Sequence, residues 1–368
     1  MSQTIIPQGN SLAVTRFSVA LAHEASRASY FDQRFVAGGE DPQTPIQMLT
    51  DLESMQGDKV TFDLFMNLKA QPVEGDNRLA GAEESLTWYT DSLLIDQMRS
   101  GVNCGGKMTA QRTEHDLRKV ALPKMKDYWG RVKDELFFLY LSGARGVDTD
   151  WVLPTTYTGF AGNSVTAPDT QHLIYGGTAT SKATVTSSDK MTLQLVEKAV
   201  TKARTMGGGT SGVPALQPCK IDGKERFVLV MHEFQAYDLR RETGTGGWFD
   251  IQKQVAAAQG ENNPVYKDSL GMIRDVILHM HRSVVGFSDY GAGSNLPARR
   301  ALFLGRQAGV VAYGSKDGKN RFNWGEELDD RGNERVLFSG VIHGIKKTTY
   351  NSLDYGVLAL DTYAIQPY

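Results

Sequence analysis

Between Gly57 and Arg112 two strand-like runs flank a long polar connection, and a helical pattern follows. Val60, Phe62, Leu64 and Met66 alternate with Thr61, Asp63 and Phe65, the period of two that marks a strand with one apolar face. A return run extends from about Leu86 to Met98. The connection from Lys69 to Ser85 is polar, and Pro72, Gly75, Asp76, Asn77 and Gly81 are turn formers. A connection of this length is uncommon and is usually functional. A lone two-stranded hairpin is marginal in water. The apolar face must therefore be covered, either by the chain's own core or by another surface such as a second copy. The residues alone favour the first, because burial within one chain is the commoner fate of such a face.

A chain of 368 residues can hold two or three modest cores or one large mixed domain. Its 40 Lys and Arg against 42 Asp and Glu give a net charge of −2, which argues against a strongly cationic surface built to grip nucleic acid. Cys104 and Cys219 are the only cysteines, a usage that points to a reducing compartment without a disulfide framework. No apolar run approaches the roughly 20 residues needed to span a bilayer. Met1-Ser2-Gln3-Thr4 lacks the basic and apolar regions of a signal peptide. These features predict a soluble protein made in a cytosol.

Apolar spacing predicts an amphipathic helix from about Leu12 to Phe35, ended by Gly38-Gly39. The longest helical pattern runs from Thr109 to Ser142, with Leu117, Ala121, Met125, Tyr128, Val132, Leu136 and Leu139 on one face. Pro123 is expected to kink or divide it, and Gly143 and Gly146 to stop it. From Arg145 to Ser188 the chain is rich in Ser, Thr and Gly, and reads as short strands or a surface insertion. A helix capped by Asp189 follows, then a buried strand at Phe227–Met231 and a helix at about Phe249–Ala258. Ile273–Met280, Ala301–Leu304, Val336–Ile345 and Val357–Tyr363 are further strands. The class is mixed α+β with much irregular backbone.

Two motifs carry candidate chemistry. Gly101-Val102-Asn103-Cys104-Gly105-Gly106-Lys107 matches the core of a phosphate-binding loop, in which backbone N–H groups and a lysine hold phosphates. The residue after the lysine should be Ser or Thr to ligate magnesium, and here it is Met108. The competing reading is a strand-to-helix turn with Lys107 solvated. In His279-Met280-His281 both imidazoles of a strand would face one side, a spacing that can chelate zinc or iron. His232-Glu233 and His343 are the available further ligands. No serine-nucleophile elbow occurs. Carboxylate pairs such as Glu83-Glu84, Glu326-Glu327 and Asp329-Asp330 read as solvated surface.

The order Gly57-Asp58-x-Val60-Thr61-Phe62-Asp63-Leu64, Val73-Glu74-Gly75-Asp76-Asn77, Gly81-x-Glu83-Glu84, Ile95-Asp96-Gln97-x-Arg99 and Gly106-Lys107-Met108-x-x-Gln111-Arg112-Thr113 resembles the major capsid proteins of tailed bacteriophages, the coliphage N-four-type podovirus branch among them. The likeness is dense from about Asp51 to Thr113 and thinner through Asn263-Pro264-Val265-Tyr266 and Val276-Ile277-Leu278-His279 to the C-terminal strands. It implies an α+β, Hong Kong 97-like capsid fold. Its parts would be an N-terminal arm at 1–45, an extended-loop hairpin with flanking strands at 46–100, and a peripheral domain with a spine helix at 101–188. A mixed α/β axial domain would follow at 189–335, and C-terminal strands returning to the peripheral domain at 336–368. It further implies no catalytic residue, cofactor or metal, and no membrane. The expected partners are copies of the same chain in hexamers and pentamers, with portal, scaffolding and decoration proteins, and double-stranded DNA packaged non-specifically on the inner face. The expected location is the virion capsid, assembled in the host bacterial cytoplasm. The hairpin would lie over the spine helix of a neighbour. Glu74, Asp76, Arg78 and Glu84 are then the candidates for contact with basic residues such as Lys107, Arg112 and Lys119. The alternatives are a nucleotide-binding enzyme using Gly106 and Lys107, or a metal-dependent hydrolase around His279 and His281.

Overall fold

The computed structural model describes residues 28–39, 43–50, 57–65, 68, 70–206, 215–221, 223–242, 269–315 and 321–368. In chain order a short helix α1 (Tyr30–Arg34) leads to strands β1 (Val36–Gly38) and β2 (Ile46–Leu49). The hairpin β3 (Lys59–Phe65) and β4 (Trp88–Leu94) follows, then β5 (Asp96–Gly106), α2 (Lys107–Arg112) and the long helix α3 (Leu117–Ser142). Next come β6 (Leu173–Tyr175), α4 (Leu193–Thr205), β7 (Cys219–Ile221), β8 (Lys224–Met231), α5 (Glu233–Arg240) and β9 (Ser269–Ile273). The remainder is strand: β10 (Val276–Met280), β11 (Gly286–Tyr290), β12 (Leu296–Leu304), β13 (Gly309–Gly314), β14 (Phe322–Asp329) and β15 (Glu334–Lys347). The last three are β16 (Thr349–Tyr350), β17 (Leu353–Asp354) and β18 (Val357–Tyr363).

Two sheets organise these elements. In the first, β15 pairs with β5 along one edge and with β14 and then β13 along the other, and β2 and β1 extend beyond β13. In the second the order is β6-β18-β12-β8-β10-β9, with β11 beside β12 and β7 beside β8. Sheet membership cuts across the order of the chain: β13, β14 and β15 belong to the first sheet, and the final strand β18 to the second.

The second sheet is covered on both faces. Val228, Val230, Ile277, Leu302 and Leu304 point into the core shared with α3, while Phe227, Leu229, Val276, Leu278 and Phe303 pack with α4 and α5. That is why β8 reads as an unbroken apolar run: both sides of the pleat are dry.

Helix α3 is 26 residues long, roughly 39 Å at 1.5 Å per residue. Its Asp116 N-cap accepts from the N–H groups of Arg118 and Lys119. Gly143 ends it with φ 68°, where a Cβ would stand 2.1 Å from the Thr166 carbonyl oxygen. From Val132 to Ser142 every residue is buried, so this half is enclosed on all sides. Three consecutive charged residues there meet two segments, α1 with its cap and residues 152–153. Lys133 pairs with Asp32 of α1. Asp134 accepts from Ser29 Oγ at 2.8 Å and from the N–H groups of Tyr30 and Phe31. Glu135 accepts from the N–H groups of Val152 and Leu153 at 2.9 and 3.0 Å. The C-terminal end of α3 is tied to the second sheet by Arg300, which donates to both oxygens of Asp361 at 2.7 Å and to the Ser142 carbonyl.

The structure corrects several expectations. The division of the long helix falls at Thr113–Asp116, and α3 runs through Pro123. The first helix ends at Arg34 rather than at Gly38-Gly39, because Val36–Gly38 pairs with β2. Thr192, not Asp189, caps α4; the Asp189 carboxylate instead accepts from Thr186. Of the run Ile273–Met280, Val276–Met280 is strand β10, while Ile273 closes the antiparallel partner β9 and Arg274-Asp275 form the turn, with Arg274 at φ 49°. The return run of the hairpin is two strands, β4 and β5, separated by Ile95 alone. The helix expected at 249–258 and the Asn263–Tyr266 stretch lie outside the described residues, as does most of the N-terminal helix.

The predicted metal pair is part of this core. His279 packs edge-on against Phe35, its ring centroid 5.2 Å away. His281 stacks on Phe138 at 4.9 Å and lies 4.6 Å from Tyr30. The two imidazoles do face one side, as alternation required, but that side is the aromatic cluster holding α1. His232 caps α5, and His343 stacks on Phe160 in the first sheet.

Two consequences are measurable. Asp361→Ala strands the buried Arg300 guanidinium and should lower the unfolding free energy of the unassembled subunit by about 3–5 kcal/mol in urea titration. Burial and neighbouring cations push His232 and His343 down to about 3 and His281 to about 4, from 6.5. A depressed folded pKa contributes stability above the unfolded pKa that is lost as pH falls. Subunit stability should therefore decline steadily from pH 6.5 toward 4, and a flat denaturation midpoint over that window would contradict it.

Candidate assembly interface

The hairpin combines a fixed base with an uncovered tip. β3 and β4 pair antiparallel from Lys59↔Leu94 to Phe65↔Trp88. At the base, Val60 and Leu93 are buried against Val310 and Ala312 of β13. The Asp91 carboxylate takes the Lys346 ammonium and accepts from the N–H and Oγ1 of Thr349 at 3.2 and 3.3 Å. The Asn163 side chain brackets Leu94, accepting from its N–H at 3.0 Å and donating to its carbonyl at 2.7 Å. Intramolecular burial, favoured by the residues alone, thus holds for the base.

It does not hold beyond Phe65 and Trp88. The described part of the connection contains no strand and is kept in shape by its own bonds. The Ala70 N–H donates to Glu84 Oε2 at 2.7 Å, Asn77 Nδ2 to the Glu74 carbonyl at 2.8 Å, and the Gly81 N–H to Glu83 Oε2 at 2.6 Å. Gly75 and Gly81 turn with φ of 63° and 96°, the left-handed region that glycine enters at no steric cost. Leu68, Leu79, Leu86 and Trp88 are 68, 59, 61 and 58% exposed. Four large apolar side chains in water on one projecting segment mark an interaction surface.

Glu74, Asp76 and Arg78 lie exposed on this tip, and Glu84 is committed to bracing it. Lys107 and Arg112 are exposed on α2. Lys119 is exposed on the first turn of α3, 3.6 Å from Asp116. Further exposed apolar residues are Val102, Met108, Val120, Leu328 and Phe338; the register puts Val102 and Leu328 on the face of Leu337 and Phe338 on the opposite face. The Phe338 ring lies over Gly325, where a Cβ would stand 2.1 Å from it. Sequence reasoning did not single these residues out, because they belong to five separate elements.

The phosphate-loop reading meets a different backbone. Gly101, Val102 and Asn103 pair with Phe338, Leu337 and Val336 as part of β5, and Gly106 pairs with Glu334. A phosphate-binding loop needs its N–H groups converging on one point, and here they belong to an extended strand. Lys107 opens a helix of only 6 residues. Of the histidines of the metal reading, His279 and His281 share the aromatic cluster at α1 while His343 lies apart in the first sheet, and among the described residues no group of three His, Cys, Asp or Glu could hold a metal ion. No helix among the described residues is long and apolar enough to cross a membrane.

The chain matches known proteins over nearly its whole length. A family model described as phage capsid protein matches residues 5–366. The major capsid protein of Pseudomonas phage KPP25 is 23% identical over 372 residues, spanning 94% of this chain and 93% of that protein. The solved capsid of Ralstonia phage GP4 is 48% identical, covers 100% of both chains and superposes with a TM-score of 0.85. The capsid of cyanophage Pam1, at 20% identity and a TM-score of 0.71 over 99% of this chain and 96% of that one, shares the fold. These relatives are capsid proteins, and this chain shares their mixed α/β architecture. The chain belongs to the phage capsid protein family: it is a major capsid protein, a subunit of a bacteriophage head shell.

Proposed function

We propose that copies of this chain close into an icosahedral shell of hexamers and pentamers around double-stranded DNA, each copy holding the next through its hairpin. The observation that carries this reading is the hairpin's division into a base locked onto its own sheet and a tip with four large apolar residues in water. A closed shell needs heterologous contacts that curve, and specific interfaces bury on the order of 1,200–2,000 Å². A projecting segment supplies such area without enlarging the core.

The receiving surface in this reading is the neighbour's face around Val102 and Leu328, with Lys107, Arg112 and Lys119 as its cations. Glu74 and Asp76 would meet those cations at its rim. The fold is read as Hong Kong 97-like, with α3 as the spine. The first sheet then forms the peripheral domain and the second sheet, with α4 and α5, the axial domain. The extended loop is the hairpin, and the arm comprises the residues before β2. Portal, scaffolding and decoration proteins are the further partners of such a shell, and the host bacterial cytoplasm is where it assembles. The net charge of −2 suits a container that holds DNA without gripping it.

The test is assembly of the purified chain, followed by sedimentation and negative-stain electron microscopy. Closed shells, tubes or rings of five and six are expected. Glu74→Lys with Asp76→Lys should leave the circular dichroism of the subunit unchanged and sharply reduce the yield of closed particles. Wild-type yield from that double variant would refute the charge contacts. Trp88→Ser should likewise lower the assembled fraction while preserving the subunit fold, since Trp88 contributes mainly outside its own core.

A further inference from the structure

At the end of β15 the chain turns through β16 and β17 and brings Lys347 back against Asp354. Lys347 Nζ lies 2.7 Å from Asp354 Oδ1, with side-chain exposures of 1 and 3%. The lysine also donates to the Thr166 carbonyl at 3.0 Å. The second carboxyl oxygen, Asp354 Oδ2, is buried and has no hydrogen-bond partner among the described residues. A buried ion pair offsets its desolvation only when the remaining lone pairs are satisfied, and this one leaves an oxygen bare.

A third carboxylate sits beside the pair. Asp169 Oδ2 accepts from the Asp354 backbone N–H at 2.9 Å and lies 2.8 Å from His172 Nδ1. Burial works against its charge, yet the hydrogen bonds from His172 and from the backbone hold Asp169 well below the usual carboxylate range. Burial acts the other way on the pair itself. It pushes the Lys347 ammonium down and the Asp354 carboxyl up, in each case against the pull of the partner's charge. Dry surroundings thus work against the charged form of each partner, and the uncharged amine is the form in which a lysine is a nucleophile.

We propose that Lys347 and Asp354 condense into an intramolecular amide that closes the β16–β17 turn covalently. One proton passes from the Lys347 ammonium to the Asp354 carboxylate. The Nζ lone pair then attacks Cγ, a C–N bond forms, and the C–O bond to the unpartnered oxygen breaks. Of the two protons left on the nitrogen, one passes by way of Asp169 to the departing hydroxyl, which leaves as one water, and the other stays on the amide; Asp169 is regenerated. No oxidant, reductant or further reactant enters.

The test is peptide mapping of the full-length folded chain, denatured after purification. No Lys or Arg follows Lys347, so trypsin normally releases 348–368. With the amide in place cleavage after Lys347 fails, and the terminal peptide becomes 347–368, lighter by one water. Lys347→Arg should restore cleavage at that position and the full mass. Wild-type peptide 348–368 at full mass overturns the proposal. So does a loss of water with cleavage retained, which marks a cyclic imide at Asp354.

Discussion

Everything in this subunit rests on the enclosed half of α3. A helix surrounded on all sides cannot keep a polar face, yet Lys133, Asp134 and Glu135 stand in its middle. Each must find a partner where water is absent, since an uncompensated buried charge costs several kcal/mol. The three meet that demand in three directions: the α1 side chain Asp32, the backbone at the start of α1, and the backbone of 152–153. Correct placement of the helix and correct docking of both flanking segments are therefore one condition. The Arg300–Asp361 pair extends the same logic to the second sheet, joining the last turn of the helix to β12 and β18.

Division of labour between the sheets follows. The second sheet is dry on both faces and contributes its edges and loops to the surface. The first sheet carries exposed apolar residues beside the cationic helix α2, and the hairpin leaves from its β5 edge. In the proposed assembly, the donor hairpin and the receiving surface would thus be attached to the same sheet. That arrangement suits a heterologous, propagating contact, in which each copy is donor to one neighbour and acceptor from another.

Much of this was legible in the residues. Alternation from Val60 to Leu64 is the real strand β3, and the turn formers of 69–85 lie on the real connection. The apolar stripe from Leu117 to Leu139 is the real α3. Other features were hidden for physical reasons. Periodicity assigns charges to the wet face, so it cannot foresee that Lys133-Asp134-Glu135 are buried; only the segments that return from distant sequence supply their partners. Glycines at 101, 105 and 106 signal a turn, whereas here Gly101 and Gly106 pair with β15 and only Gly105 turns, at a register shift with φ 77°. A lone left-handed Arg274 splits a run that composition shows as continuous. Most of all, exposed Val102 and Leu328 come to one face only through their pairing with β15, and no local pattern joins them.

The junction at Ile95 has a mechanical meaning. β4 passes into β5 with one residue between them, and β5 is bonded antiparallel to β15 from Asp96↔His343 to Gly106↔Glu334. Antiparallel bonds lie perpendicular to their strands. A pull along β5 from the hairpin therefore loads this ladder in shear, all its bonds together, instead of opening them one after another. The same pull reaches Asp91 and its contacts with Lys346 and Thr349. Tension between neighbouring subunits would be spread over the widest element of the first sheet, a construction that resists rupture the way a lap joint does.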